Sequence, residues 1–176
     1  MTRLFLISSF TIALAACSLS EDVSPFVSEP GGLLETDRTR YNAQVLRDGH
    51  ERIKFDVPFV AQNPTGAPLY LMGCNGPHPP VLEKYVDGTW KAAYDAVIQT
   101  CQDPPHVIPR GGERADTLRV IAFLPGQNAL PTFDVEIEGM YRLRWKIYAS
   151  LTDQEHPVGR DPLSAEQQLS NTFEVY

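Results

Sequence analysis

"RIKFDVPFVAQ", residues 52 to 62, alternates apolar and polar side chains through its first half. Ile53, Phe55 and Val57 fall on one face and Lys54 and Asp56 on the other, the period of two that marks a half-buried strand. Pro58 has no N–H to give to a ladder, so it implies an edge or a bulge at that point. Directly after it, "NPTG" at 63 to 66 carries Pro second and Gly fourth, as a type I turn prefers, and the chain is expected to reverse into "PLYLMG".

Outward from this strand the same pattern recurs. "VLEKYV" and "TWKAAY" flank Asp87-Gly88, a dipeptide that tolerates positive φ and predicts a tight hairpin. "ADTLRVIAFLPGQ" and "TFDVEIEGMYRLRWKIYASL" read as further strands. In the second, Tyr141, Leu143, Trp145 and Ile147 alternate with Arg142, Arg144 and Lys146. Earlier in that stretch, Asp134, Glu136 and Glu138 alternate with Phe133, Val135 and Ile137, which predicts a solvated acidic face with cation binding as the sharper reading. "NTFEVY" predicts a short closing strand. No segment sustains a helical period, and Pro162 and Ser170 confine "PLSAEQQLSN" to a turn or two of helix within a loop. About seven or eight short strands with connections too brief for crossovers predict an all-β antiparallel sandwich, with a closed barrel as the alternative the same pattern allows.

The chain has 176 residues, the size of one domain. Its 15 prolines and 12 glycines suit frequent turns. A formal charge of −7 argues against nucleic acid as a partner, since phosphate neutralisation needs the opposite sign. Residues 1 to 16 read as a secretory leader, with Arg3 as the positive n-region, Leu4 to Leu14 as the apolar h-region, and Ala15 and Ala16 as the small residues before a cleavage point. Ser20, Glu21 and Asp22 arrive too early for a membrane span, which needs about 20 apolar residues. Residues 17 to 39, rich in Ser, Glu, Pro and Gly, are expected to form a flexible tether, and 40 to 176 the domain. Val23, Phe26 and Val27 could instead begin a first docked strand.

Leu14-Ala15-Ala16-Cys17 resembles the lipobox of bacterial lipoproteins. The resemblance implies cleavage between Ala16 and Cys17, a diacylglyceryl group on the Cys17 sulfur and often a further acyl chain on the new amino terminus. Two or three acyl chains anchor stably where one is marginal, so Cys17 would tether the protein to the membrane. Ser18 in place of Asp, by the same resemblance, favours the outer membrane of a double-membraned cell envelope.

"IEGMYRLRWKIY" followed by "TFEVY" resembles the last two strands of an immunoglobulin-like domain. Gly139, Tyr141 and Leu143 match a glycine, a corner tyrosine and the core position two further on. Leu143 stands where antibody domains carry their second cysteine, so their inter-sheet disulfide is excluded. "NPTGAPLYL", "LEKYVDGTW" and "IPRGGE" add a likeness to extracytoplasmic immunoglobulin-like modules of bacteria, many of them uncharacterised. Such a likeness speaks for architecture and is nearly silent on activity.

With Cys17 lipidated, Cys74 and Cys101 make an even pair in an oxidising compartment, and a disulfide between them is expected. The alternative is a metal site, because His78 follows Cys74 and His106 follows Cys101 closely enough for four ligands to surround zinc or copper. No other cofactor is implied. Motifs for nucleophilic, metal-assisted or phosphate-binding chemistry are absent, and His50 beside Glu51 points to opposite faces of a strand, a poor acid–base pair. Trp90 and Trp145 could present an aromatic to a sugar or peptide, with core packing the commoner fate. These features favour a non-catalytic interaction module for an envelope protein, peptide or glycan. An enzyme or accessory subunit whose residues meet only in space is the alternative, as is inhibition of a protease through the proline-rich loop "CNGPHPP". Substituting Cys17→Ser is expected to abolish lipid labelling and to release the protein from the membrane fraction; unchanged fractionation would exclude the tether.

Overall fold

The structure, a computed structural model, describes residues 32–47, 49–97, 103–127, 129–133, 135–153 and 155–176. The leader, Cys17 and Cys101 lie outside the described residues. The fold is all-β, and its strands form three sheets packed around one core.

The opening stretch lies within β4 (Glu51–Gln62), whose burial alternates as its sequence does. Ile53, Phe55, Val57, Phe59 and Ala61 are buried on one face. Along one edge β4 pairs throughout with β9 (Glu113–Phe123), from Arg52 opposite Phe123 to Gln62 opposite Glu113. Along the other edge β1 (Leu34–Thr36) covers residues 59 to 61 and β3 (Gln44–Arg47) covers 51 to 54. Pro58 falls between the two. Its carbonyl accepts the Asp37 N–H at 3.1 Å, and in a strand the carbonyl and nitrogen of one residue point to the same side. Its ring nitrogen therefore faces the gap between β1 and β3, where no ladder needs a donor, so the proline sits in a strand paired on both sides and not in the edge strand or bulge expected.

The second sheet runs β2 (Arg40–Tyr41), β13 (Phe173–Val175), β10 (Gly139–Arg144), β6 (Val81–Val86) and β7 (Thr89–Tyr94). Its β2–β13 pair is parallel, an exception to the antiparallel expectation. The β6–β7 hairpin closes through Asp87 and Gly88 at φ 52° and 81°, the paired positive values of a type I′ turn. The third sheet runs β12 (Gly159–Pro162), β11 (Tyr148–Leu151), β5 (Leu69–Leu71) and β8 (His106–Ile108). A single 3₁₀ turn at Glu166–Gln168 occupies the loop where a brief helix was expected.

Three further expectations need correction. The stretch from Thr132 to Leu151 is not one strand: residues 135 to 138 are irregular, and the chain leaves the second sheet at Arg144 and enters the third at Tyr148. The burial alternation nevertheless survives, with Tyr141, Leu143, Trp145 and Ile147 all inside. Between the two strands, the Trp145 N–H donates to the Gln168 carbonyl at 2.9 Å and the Ile147 carbonyl accepts from Leu163 at 3.0 Å, so a loop replaces the neighbouring strand. Glu136 and Glu138 are accordingly exposed on a bend and share no strand face; Asp134 lies outside the described residues. The fold also begins before residue 40. Leu34 and Thr36 are buried, and the Gln62 N–H donates to the Leu33 carbonyl at 2.8 Å, which draws part of the expected tether into the first sheet. The described strands number thirteen, more than the seven or eight expected, because several edge pieces are only two to four residues long.

The core is threaded by aromatic rings. Phe55 meets Phe133 at 6.2 Å, Phe133 meets Tyr141 at 6.2 Å, Tyr141 stacks on Phe173 at 6.3 Å, and Phe173 meets Tyr41 edge-on at 5.1 Å. The Tyr141 hydroxyl is directed at the Ile137 and Glu136 carbonyls, 3.0 Å from the latter, and pins the bend that precedes β10. Burial pushes its ionisation well above the usual phenol range, so the hydroxyl stays a donor. Beneath the bend Lys84, buried except for 6% of its surface, donates to the Glu136 carbonyl at 2.5 Å. Burial lowers its pKa while Glu136 and Glu138 oppose the shift. Gly139 has φ 146° and a Cβ there would lie 2.7 Å from the Lys84 stem, so both the backbone and the space call for glycine.

Asn63, first residue of the "NPTG" turn, is 1% exposed and fully bonded. Its amide donates to the carbonyls of Ala67 at 2.9 Å, Ile108 at 3.0 Å and Pro109 at 3.1 Å. Its oxygen accepts from the Thr65 N–H at 3.0 Å and the Thr65 hydroxyl at 2.6 Å. One side chain thus ties the end of β4 to the connection between β8 and β9. Asn63→Ala strands those buried groups and is expected to lower stability by roughly 2 to 3 kcal/mol, read as a lower urea midpoint at an unchanged slope.

Candidate functional site

At one end of the third sheet, the chain leaving β5 makes a closed loop instead of a strand extension. Gly73 bridges to Pro77, and the His78 N–H returns to the Met72 carbonyl at 2.8 Å. Asn75 and Gly76 take positive φ of 52° and 142° at the tip. A Cβ on Gly73 would lie 1.8 Å from the Gly76 carbonyl oxygen, so the loop closes only over glycine. The tip is a tight turn, unlike the extended strand that an edge-pairing cleft takes up. Two contacts anchor it. The Trp145 indole donates to the His78 carbonyl at 2.5 Å, from a ring that is itself packed edge-on against Phe59 at 5.1 Å. The Asn75 N–H donates to the Asp103 carboxylate at 2.7 Å. Asn75 follows Cys74 directly in the sequence, and Asp103 stands two residues after Cys101.

A cavity of about 270 Å³ opens beside this loop, lined by Met72, His78, Asp103, Glu155, His156 and Val158. The last three come from the β11–β12 connection. A second hollow of about 190 Å³ shares Met72 and His78 and is bordered by Asp95, Arg144, Lys146 and Tyr148. Loops from three places in the sequence thus converge at one end of the sandwich, where histidine and carboxylate side chains face solvent. A further concavity, about 520 Å³, lies elsewhere: it is an open trough on the outside of the first sheet, lined by Pro58, Val60, Ala115, Glu35, Asp37 and Glu113.

Of the four residues named as possible metal ligands, Cys74 and His78 share this loop, while His106 heads β8, opposite Leu71, with its Nε2 buried and without a hydrogen-bond partner. Cys101 lies outside the described residues. Among the described residues no group of three or more His, Cys, Asp or Glu side chains is placed to hold a metal ion. His50 is exposed in the β3–β4 turn with its ring edge-on to Phe123 at 5.9 Å, and Glu51 pairs with Arg47 at 3.2 Å. Trp145 is core, 2% exposed. Trp90 is not: it sits half-buried on the outer face of the second sheet, against Tyr85 at 5.2 Å and under the Arg142 guanidinium at 4.2 Å. The bracing of the 73–77 loop by Asp103 escaped the sequence, since nothing in the spacing of Asn75 and Asp103 marks them as neighbours.

The fold and these loops define an all-β domain of several mostly antiparallel sheets with a rigid loop end. No protein-family model matches the chain, and no curated protein is significantly similar to it.

Proposed function

We propose that this chain is an envelope lipoprotein, anchored through Cys17 in the outer membrane, whose immunoglobulin-like sandwich is a non-catalytic interaction module for an envelope protein, peptide or glycan. The observation that carries the reading is the loop end: a turn closed on itself, tied to core Trp145 and to Asp103, beside a cavity of about 270 Å³. Binding surfaces are commonly built from loops held by a rigid scaffold, and pre-ordered loops lose little freedom on binding. The Tyr141 hydroxyl, bonded to carbonyls four and five residues upstream, supports the immunoglobulin-like assignment because it has the form of a tyrosine corner. Among the described residues no helix is long and apolar enough to cross a membrane, and the attachment proposed here needs none.

A Cys74–Cys101 disulfide belongs to the same proposal. What supports it is the Asn75–Asp103 bond at 2.7 Å, which joins the residue after Cys74 to the residue two places after Cys101. Such a bridge closes a loop of 26 intervening residues, worth about 3 to 4 kcal/mol in the chain-entropy description. Thiol counting on the denatured mature protein is expected to give none before reductant and two after; two thiols appearing on chelation alone would instead establish the metal reading.

The interaction reading is tested by placing a photocrosslinking side chain at Asn75 and, as a control, at Lys54 on the outside of the first sheet. The expected outcome in the native envelope is one recurring adduct from position 75 that is absent from position 54. Repeated captures without a recurring adduct count against the proposal.

A further inference from the structure

The outer face of the second sheet carries a row of cations that the loop end does not explain. Arg142 and Arg144 lie on β10 and Lys146 just beyond it; alternation puts all three on the outward side, spaced by about 6.5 to 7 Å per step. Glu83 on β6 stands directly opposite Arg142. Its carboxylate, whose side chain is 10% exposed, accepts from Arg142 Nε at 2.8 Å and from Arg144 Nε at 2.6 Å. Both arginines therefore spend Nε on one carboxylate. Their Nη groups have no hydrogen-bond partner among the described residues.

The rest of the cluster fixes these groups in place. The Arg142 guanidinium lies over the Trp90 ring at 4.2 Å, and Trp90 rests against Tyr85, which is 42% exposed. Lys146 has no ion pair among the described residues, and its ammonium is 5.5 Å from the Tyr148 ring. That ring lies across Gly159, where a Cβ would approach it to 2.5 Å. Arg144, Lys146 and Tyr148 border the hollow of about 190 Å³, with Asp95 as the acid on its rim. Three cations against Glu83 and Asp95 leave local positive charge on a chain whose formal net charge is −7. A single arginine would neutralise Glu83; the second leaves a partly exposed guanidinium, held at Nε, whose Nη donors can meet a phosphate or carboxylate in two-point contact.

We infer that Arg144 and Lys146, with Arg142 behind them, form an oxyanion-binding site at the mouth of this hollow, for a ligand bearing a phosphate or carboxylate group. The hollow shares Met72 and His78 with the loop end, but the inference rests on neither the lipid anchor nor the interaction reading and holds if either fails. The site is read by amide NMR shifts on the mature domain at constant ionic strength, titrating inorganic phosphate, then acetate, then vesicles of phosphatidylcholine with and without phosphatidylglycerol. Saturable shifts are expected at 81–85 and 142–146, at least tenfold weaker in Arg144→Gln/Lys146→Gln. Arg119→Gln, on the far sheet, is expected to leave them unchanged. A response to phosphate or acetate assigns a soluble ligand of that group, and a response to anionic vesicles alone assigns a lipid headgroup. Both arginine and lysine positions are partly exposed, so the double variant is expected to fold, and its dispersed spectrum verifies this. No saturable shift with any probe, or shifts unaffected by the double variant, would overturn the inference and leave Glu83 and the two arginines as a purely structural cluster.

Discussion

The fold depends on one demand, that a twelve-residue strand with five buried side chains on one face be covered from end to end. Ile53, Phe55, Val57, Phe59 and Ala61 face inward together, and at about 25 cal/mol per Å² of apolar area such a face drives more of the folding free energy than any local preference could. The coverings arrive from distant parts of the chain. Phe55 takes Phe133, which takes Tyr141, which takes Phe173; Phe59 takes Trp145. Because Trp145 lies where the chain passes from the second sheet to the third, the packing on Phe59 positions both the crossing and, through the indole N–H, the loop at His78.

Covering β4 leaves β9 with no further strand partner among the described residues, and an edge eleven residues long invites pairing with another chain. The register shows how it is managed. Even-numbered residues of β4 bond toward β1, since Gln62 donates to Leu33 and Pro58 accepts from Asp37, so the odd-numbered residues of β9 point their backbone groups outward. Three of those groups are occupied: Thr117 donates to the Asp116 carboxylate at 2.8 Å, Ile121 meets the Tyr94 hydroxyl, and Phe123 donates to the Pro131 carbonyl at 2.9 Å. Arg119, outward between them, adds a charge. This edge is thus a poor template for strand addition, which agrees with an interaction site placed on loops.

The sequence made β4, the Asp87-Gly88 hairpin and the closing strand legible because each depends on local chemistry: a period of two, a dipeptide tolerant of positive φ, and a short apolar alternation. The burial of Tyr141 and Leu143 behind Gly139 was legible for a similar reason, since the three are close in sequence. What was not legible lay in long-range exchange of partners. Tyr141 to Ile147 alternates without a break whether it stays in one sheet or changes to another, because alternation records which face is buried and not which strand is alongside. Nor does Leu34-Glu35-Thr36, behind a run of Ser, Pro and Gly, show a period long enough to mark a strand; it is recruited by the exposed edge of β4. The candidate site was legible only as residue types, Cys74, His78 and the prolines, while the contacts that order it, to Trp145 and Asp103, span 67 and 28 residues.

The ion cluster on the outside of the second sheet bears on why such an arrangement persists. A carboxylate as buried as that of Glu83 is costly to desolvate, and the attraction of its partners in general does little more than offset that cost, so a hydrophobic residue at this position would serve stability as well. A threonine or valine opposite Arg142 would satisfy the sheet equally. What Glu83 does that they could not is hold two guanidinium groups by their Nε atoms, at 2.8 and 2.6 Å, the first of them over the Trp90 ring. Free arginine side chains in water lose about 2 kcal/mol of rotamer freedom when fixed by a ligand; here Glu83 and Trp90 impose that order in advance. The second arginine, 41% exposed, bonds the other oxygen of this buried carboxylate, and an arginine held in this way has less freedom left to lose on meeting an anion.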